Sequence, residues 1–166
     1  MGRQHYRPET FHMCASIGYL QKRAHHLMHE WIERRFAEHN CTLQQWVVLM
    51  HVRDGLTATV ADLCRKLHHD SGAMTRLVDQ LEERKLIKRQ RNAEDRRVIE
   101  LSLTPAGQAL LGKLIPIACE LLNATLQDFS SEEVKLMQSL LKKMINRLET
   151  MREARQAQSS LAREKM

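Results

Sequence analysis

Basic side chains are concentrated in one short stretch of this 166-residue chain. From Arg84 to Arg97 there are seven basic residues and two acidic ones, which leaves a net charge of +5, whereas the whole chain carries +6. A patch of this kind suits a polyanion, because positive side chains that neutralise phosphates release condensed counterions. The charge pattern therefore predicts binding to nucleic acid, with a solvated charged surface as the alternative.

Two short helices are expected just before this basic stretch. Thr59 can cap the first of them, His68 and His69 occupy the turn, and Asp70 can cap the second. The inner face of the second helix has four apolar residues at helical spacing, which are Met74, Leu77, Val78 and Leu81. Two short helices joined in this way have the spacing of a helix-turn-helix, although many other helical hairpins share it.

A basic hairpin is expected after the second helix. Leu86 to Arg91 can form a strand, and Asn92 to Arg96 supplies a polar turn. A half-buried second strand is indicated by the alternation of Ile99, Leu101 and Leu103 with Val98, Glu100 and Ser102. The second helix of the helix-turn-helix, together with an adjacent hairpin whose turn carries arginine, can contact two grooves of a DNA duplex. The sequence thus predicts a winged helix-turn-helix and sequence-specific DNA binding.

The predicted fold is mostly α with a small β-wing. The length fits one domain over residues 1–166, and the low aromatic content, 4%, with only 6 Gly and 3 Pro, favours helices. Within it, residues 42–104 form the winged helix-turn-helix lobe, flanked by helices over 11–39 and 105–151. These flanking helices carry more apolar residues than the lobe can bury, so they are expected to form a dimer interface.

Local signals set the expected ends of several helices. Thr42 and Gln45 form a capping box, and Ser130 with Glu133 forms another. Pro116 is expected to kink or interrupt the fifth helix, because proline lacks the backbone N–H that the helix needs. Beyond Arg152 the apolar pattern fails, which predicts a frayed tail.

Two segments resemble the MarR family of bacterial transcription regulators, and the similarity spans residues 10–150. Asp70 to Glu82 is similar to the recognition helix of that family. The wing pattern D-x-R followed by L-x-L-T-x-x-G is present from Asp95 to Gly107. Lys85 departs from the family, which usually has glycine after the recognition helix, so a different cap or local strain is expected there.

The resemblance implies a homodimer that binds double-stranded DNA, usually as a repressor, and two-fold symmetry predicts a palindromic operator. The scattered cysteines and the lack of a membrane span or secretory signal predict a cytoplasmic protein. Arg97 would enter the minor groove, held by Asp95 through charge-assisted bonds. Residues in the first turns of the recognition helix can reach the major groove, with Arg76 suited to guanine; these are Ser71, Ala73, Thr75 and Arg76. Four further basic residues are expected to contact phosphates, namely Lys88, Arg89, Arg91 and Arg96. The alternative is that the Asp95–Arg97 ion pair only stabilises the hairpin.

Family members often release DNA when a small anionic or phenolic ligand binds between the dimer helices and the lobe. His25, His29, Trp31 and Trp46 come from the two helices that would line such a cleft, although Trp is more often packed and His more often solvent-exposed. His25 and His29 also have the i, i+4 spacing of metal ligands. No carboxylate or thiol partner can be assigned to them, so neither a metal nor a cofactor is expected.

The four cysteines are scattered and form no C-x-x-C pair, which favours reduced thiols. Cys14 lies about one turn before the position of the reactive thiol in the hydroperoxide-sensing branch of the family. A structural role is therefore favoured for Cys14, with a redox-sensing regulator of the same fold as the alternative.

Several other classes of protein are disfavoured by the sequence. It contains no nucleophile elbow, phosphate-binding loop, dinucleotide fingerprint or paired-cysteine metal set, so an enzyme is not expected. It has no long apolar run and no apolar N-terminal signal, which predicts no membrane association. A helical interaction module that does not bind DNA is the remaining alternative, and salt-dependent binding to a duplex would exclude it.

Overall fold

The computed structural model describes residues 4–57, 59–92 and 94–164. Within these residues, two short 3₁₀ helices (Pro8–Thr10 and Met13–Ala15) are followed by six α-helices and two strands: α1 (Ile17–Ala37), α2 (Leu43–Arg53), α3 (Val60–Leu67), α4 (Ser71–Glu83), β1 (Ile87–Arg91), β2 (Ile99–Leu103), α5 (Pro105–Thr125) and α6 (Ser131–Glu164). The strands form an antiparallel two-stranded sheet. The predicted fold class, mostly α with a small β-wing, is confirmed.

The chain divides into two compact units, Met1–Leu122 and Asn123–Met166. The first contains the helix-turn-helix and the hairpin, and the second contains α6. Large apolar side chains of α6 are exposed, and they recur along the helix: Leu136, Met137, Leu140, Leu141, Ile145, Leu148 and Met151. This unit therefore offers a long apolar surface.

Side-chain caps define the helix-turn-helix. Thr59 Oγ1 accepts a hydrogen bond from the Asp62 N–H, and Asp62 Oδ2 accepts one from the Thr59 N–H, which forms a capping box at the start of α3. His68 ends α3 in the left-handed conformation. Asp70 Oδ1 then accepts from the N–H groups of Gly72 (2.9 Å) and Ala73 (3.0 Å), so α4 starts where the sequence predicts.

The hairpin is fixed at its turn and at its base. Asn92 Oδ1 accepts from the N–H groups of Glu94 (2.7 Å) and Asp95 (2.9 Å), which closes the turn. At the base, Lys85 leads from α4 into β1 with a φ of +57°. The Thr104 hydroxyl donates to the Lys85 carbonyl oxygen over 2.6 Å, joining the end of β2 to that connection.

Two apolar clusters hold the first unit together. One lies within the lobe and unites α2, α3, α4, the hairpin and α5; its buried members are Val48, Leu49, Leu63, Met74, Val78, Leu81, Leu86, Ile87, Leu101 and Leu111. The other joins α1 to α5 around Phe36 and Leu114, both fully buried. The predicted inner face of α4 is confirmed, with Leu77 only partly buried.

Three helix boundaries differ from the sequence predictions. α1 begins at Ile17 instead of residue 11, because Ser16 Oγ caps it by accepting from Tyr19 N–H (3.3 Å). α5 is not interrupted at Pro116, since one missing N–H removes only one bond of a 21-residue helix, and the alternative of a kink stays a prediction. α6 extends to Glu164 through the expected frayed tail, where Ala, Arg, Gln and Glu favour a helix even without an apolar stripe.

The burial of the second strand also differs at one position. Ile99 was expected to face the core, but its side chain is 48% exposed. It pairs with Arg91 at the turn end of the hairpin, whereas Leu101, two residues later, is buried in the lobe cluster. A sheet of two strands covers its core side chains only near its base.

Candidate nucleic-acid interface

The first two turns of α4 present an uncovered polar surface. Ser71, Ala73, Thr75 and Arg76 are exposed, while Met74 on the opposite side is buried. The Thr75 hydroxyl donates to the Ser71 carbonyl oxygen (2.8 Å), which leaves both lone pairs of its oxygen able to accept hydrogen bonds. Among the residues that the structure describes, no carboxylate pairs with Arg76. This guanidinium is free to meet a ligand.

The hairpin carries a second exposed guanidinium. Arg97 Nε donates to Asp95 Oδ1 (3.1 Å), Arg97 Nη2 donates to Asp95 Oδ2 (3.4 Å), and the Arg97 backbone N–H donates to Asp95 Oδ1 (3.0 Å). The side-chain bonds from Arg97, followed by the backbone bond, lower the pKa of Asp95 below its ordinary value. The Arg97 side chain is nevertheless 92% exposed, so Asp95 orients this cation without covering it.

Lys88, Arg91 and Arg96 are exposed and have no ion-pair partner within residues 4–57, 59–92 and 94–164. They can meet phosphates without giving up an existing contact.

Arg89 lies in a different environment from the one expected for a phosphate contact. Its Nη2 lies 2.6 Å from Asp79 Oδ1, its Nη1 bonds Glu82 Oε2, and its backbone N–H donates to Glu82 Oε1 over 3.1 Å. Two carboxylates of α4 already neutralise this guanidinium, and only 26% of the side chain is exposed. The sequence feature that could have indicated this pairing is the pair of acidic residues Asp79 and Glu82, one helical turn apart on the preceding helix. The count of basic residues between Arg84 and Arg97 does not include them.

Gln45 has a role beyond the capping box that its sequence neighbours do not indicate. Beyond its capping box, its Oε1 accepts from Arg84 Nη1 (3.0 Å), and its Nε2 donates to Gln80 Oε1 (3.4 Å). The side chain is only 8% exposed. Gln45 therefore ties α2 to the last turn of α4, and no local pattern indicates such a contact between distant parts of the chain.

Two neighbouring cavities of the first unit are lined by residues of α1 and α2. The larger, about 250 Å³, is lined by His25, His29, Leu43, Gln44, Val47, Val48, Leu67, His69, Met74 and Leu77. The smaller, about 160 Å³, is lined by His25, Met28, His29, Ile32, Leu43, Trp46, Ala118, Leu121 and Leu122. Of the four residues predicted to contact a ligand, His25 and His29 line both cavities and Trp46 lines one. Trp31 is instead packed beneath Arg35, whose guanidinium carbon lies 5.0 Å from the ring centroid.

The cysteines differ in accessibility. Cys14 and Cys119 are exposed and Cys41 is buried, and all four cysteines are free thiols. Burial, opposed by Arg84 and reinforced by Glu33, raises the pKa of Cys41 to about 11. Among the described residues, no group of three or more His, Cys, Asp or Glu side chains is arranged to hold a metal ion. No described helix combines the length and apolar character of a membrane span.

A capped recognition helix beside a charged antiparallel hairpin defines the winged helix-turn-helix class of DNA-binding proteins. Residues 39–98 match the model of the MarR family. The organic hydroperoxide resistance transcriptional regulator of Bacillus subtilis is 32% identical over 109 residues, which cover 66% of this chain and 73% of that protein. The transcriptional repressor NicR of Pseudomonas putida is 25% identical over 136 residues, which cover 82% and 86%.

Solved structures agree with this assignment. Bordetella bronchiseptica BpsR, whose DNA binding is regulated by 6-hydroxynicotinic acid, matches with a TM-score of 0.70 and 26% identity over 81% of this chain and 96% of that one. Staphylococcus aureus MepR in complex with DNA matches with a TM-score of 0.69 and 26% identity, over 80% and 96%. The chain belongs to the MarR family and is a DNA-binding transcription regulator.

Proposed function

We propose that the protein is a repressor that binds a palindromic operator in double-stranded DNA. The first turns of α4 enter the major groove, and Arg97 enters the adjacent minor groove. The observation that carries this proposal is the Arg97 guanidinium, held by Asp95 yet 92% exposed. A side chain that is already ordered loses little conformational entropy when it binds.

The remaining contacts follow from exposure. Ser71, Ala73, Thr75 and Arg76 face base edges or nearby phosphates from the leading end of α4. Lys88, Arg91 and Arg96 meet phosphates, which fix the register on the duplex without reading its sequence.

The working form is a homodimer. Ile17, Leu20 and Leu27 on α1 are each about half exposed or more, and α6 presents its own apolar row. A monomer that exposes this much apolar surface is poorly soluble, and a second copy would cover it. Two-fold symmetry then places the half-sites of the operator about one helical turn apart. As a regulator of chromosomal DNA, such a dimer acts in the cytoplasm.

The proposed signal is a small acidic or phenolic aromatic molecule held near His25 and His29. Both imidazoles line both cavities, whose other walls are mostly apolar. An imidazole can donate to a carboxylate or a phenolate, while the apolar walls suit an aromatic ring. NicR is a transcriptional repressor, which supports repression as the mode of regulation. The regulation of BpsR by 6-hydroxynicotinic acid supports an acidic or phenolic aromatic molecule as the ligand.

DNA binding is tested by selecting bound fragments from the host genome and measuring affinity by fluorescence anisotropy. Arg76→Ala and Arg97→Ala should each weaken binding to the selected site by about 5- to 150-fold, the range for a lost base contact. Arg34→Ala, at an exposed arginine of α1, is the matched control. Wild-type affinity in both test variants, with helicity unchanged, would refute the groove assignment.

Ligand release is tested by titrating the protein–DNA complex with 6-hydroxynicotinic acid and with salicylate. An active ligand should lower DNA affinity in the wild type and act less strongly on His25→Gln and His29→Gln, because it must bind the two states of the protein unequally. Equal responses in all three proteins would remove the two histidines from the site.

Oxidation of Cys14 is a second candidate signal, favoured by the exposure of this thiol and by the 32% identity to the hydroperoxide resistance regulator. If it is correct, an organic hydroperoxide should release DNA from the wild type and leave Cys14→Ser bound. Release from both proteins would point away from this thiol.

A further inference from the structure

Three charged groups connect the recognition helix to the wing. Arg89 on β1 bonds Asp79 and Glu82 on α4, and we call these three residues the wing triad. Glu82 contacts the strand twice, because it also accepts the backbone N–H of Arg89 (3.1 Å). The planar guanidinium can bind two carboxylates at once, and Asp79 and Glu82 share one helix face because they are three residues apart.

The wing triad lies between the two proposed DNA contacts along the chain. Arg76 is one helical turn before Asp79, and Arg97 follows Arg89 across the hairpin turn. Core packing holds the hairpin to the lobe through Leu86, Ile87 and Leu101, and Leu101 pairs with Arg89 across the sheet. The wing triad adds a polar attachment to α4 at this level of the hairpin, two residues further along β1 than Ile87.

The charge of the wing triad argues against a direct role with phosphates. One cation and two anions carry a net charge of −1, which repels a nucleic acid. The guanidinium would also have to leave two carboxylates in order to reach a phosphate, and that exchange offers little gain. A group that disfavours DNA electrostatically yet joins the two DNA-binding elements is suited to setting their geometry.

We infer that Arg89 is a positioning residue, which holds the wing against α4 so that Arg97 and Arg76 reach neighbouring grooves of one half-site. A duplex presents its grooves at set spacings, so a wing at a different angle reaches one groove only by losing the other. This inference rests on the groove assignment proposed above. It adds that specificity depends on a residue that does not touch DNA.

The decisive variant combines Arg89→Met, Asp79→Asn and Glu82→Gln. It replaces a net charge of −1 with zero and keeps most of the side-chain volume. If electrostatics alone matter, the variant binds all DNA as well as the wild type or better. If position matters, its affinity for the selected site falls at least about tenfold, the scale of one mismatched base pair, while binding to unrelated duplex is unchanged or tighter.

The salt dependence separates positioning from phosphate contact. Arg91→Met, in the same strand, should reduce the slope of log K against log salt by about 0.9 and weaken binding to all sequences alike. Arg89→Met should leave that slope unchanged. A reduced slope for Arg89→Met would show that Arg89 contacts a phosphate and would overturn the inference.

A double-mutant cycle separates positioning from general stability. In an Arg97→Ala background the triple variant should cause little further loss of specific binding, because the contact that it misplaces is already absent. A full loss in that background would overturn the inference. If the triple variant unfolds, the cycle is run with Arg89→Lys, which keeps the charge but cannot bind two carboxylates in the same way.

The failure of this inference can be told apart from the failure of the groove assignment. If Arg76→Ala and Arg97→Ala both bind the selected site as the wild type does, the groove assignment fails. If those two variants bind weakly while the neutral triple variant binds normally, the inference about Arg89 fails by itself.

Discussion

Replacing Lys85 with glycine should stabilise this protein. Lys85 has a φ of +57°, in the left-handed region that disfavours residues with a Cβ. Its N–H donates to the Glu82 carbonyl oxygen (2.8 Å), and its carbonyl oxygen accepts from the Thr104 hydroxyl (2.6 Å). Because these bonds hold the residue on both sides, it cannot relax to a negative φ without disconnecting the wing from α4.

The expected gain follows from two opposing terms. The left-handed conformation costs an L-residue roughly 1–2 kcal/mol. Glycine removes that cost but adds about 0.5–1 kcal/mol of backbone entropy to the unfolded chain. The midpoints of these ranges give a net gain in unfolding free energy of about 0.7 kcal/mol, and the extremes limit it to at most about 1.5 kcal/mol. For a chain of this length it raises Tm by roughly 1–4 °C.

Thermal unfolding followed by circular dichroism at one fixed protein concentration measures this gain, since dimerisation makes Tm depend on concentration. Lys85→Ala is the matched control, because it removes the same side chain and keeps the strained φ. Asn40→Gly, at a φ of +53°, should gain less because asparagine tolerates this region. If Lys85→Gly is no more stable than Lys85→Ala, the reasoning from backbone strain is wrong.

Three other measurements test the structure of the lobe and its surroundings. A Cβ on Gly107 would lie 2.1 Å from the main-chain oxygen of Leu86. Gly107→Ala should therefore lower the unfolding free energy, measured by urea denaturation, by at least about 1–3 kcal/mol. Gly112→Ala is the control and should not lower it, because a Cβ there would have nothing within 4 Å. Asp70→Ala should cost about 1 kcal/mol by the same assay, because two N–H groups of α4 lose their acceptor. Cys41 is buried and has a pKa of about 11, so it should resist alkylation by iodoacetamide at pH 8. Mass spectrometry measures the rate of alkylation, and a rate equal to that of exposed Cys14 would contradict the burial of Cys41.

The local structure of the lobe could be predicted because its signals lie within a few residues of one another. The caps at Thr42, Thr59 and Asp70 depend on side chains that bond N–H groups two or three residues away. The Asp95–Arg97 pair is equally local, and its predicted bonds are present. Composition and helical periodicity sufficed for the fold class, since both express the burial of one face of each helix.

Residues whose surroundings come from distant parts of the chain could not be predicted in the same way. Arg89 looked like its exposed neighbours Lys88 and Arg91, because its charge is visible in the sequence and the carboxylates that neutralise it belong to another element. Ile99 follows the same alternation as Leu101, but a two-stranded sheet leaves it uncovered at the turn end.

For this protein, the sequence by itself determined the order of the helices, the caps of α2, α3 and α4, the hairpin and the family. Only the tertiary structure decided which charges are available to DNA, which histidines share a cavity, and how α2 is tied to the end of α4 through Gln45. The physical reason is the distance along the chain between the residues that interact. Capping and periodicity act over one or two turns of chain, whereas charge neutralisation and burial depend on whichever groups the folded chain brings within a few ångströms.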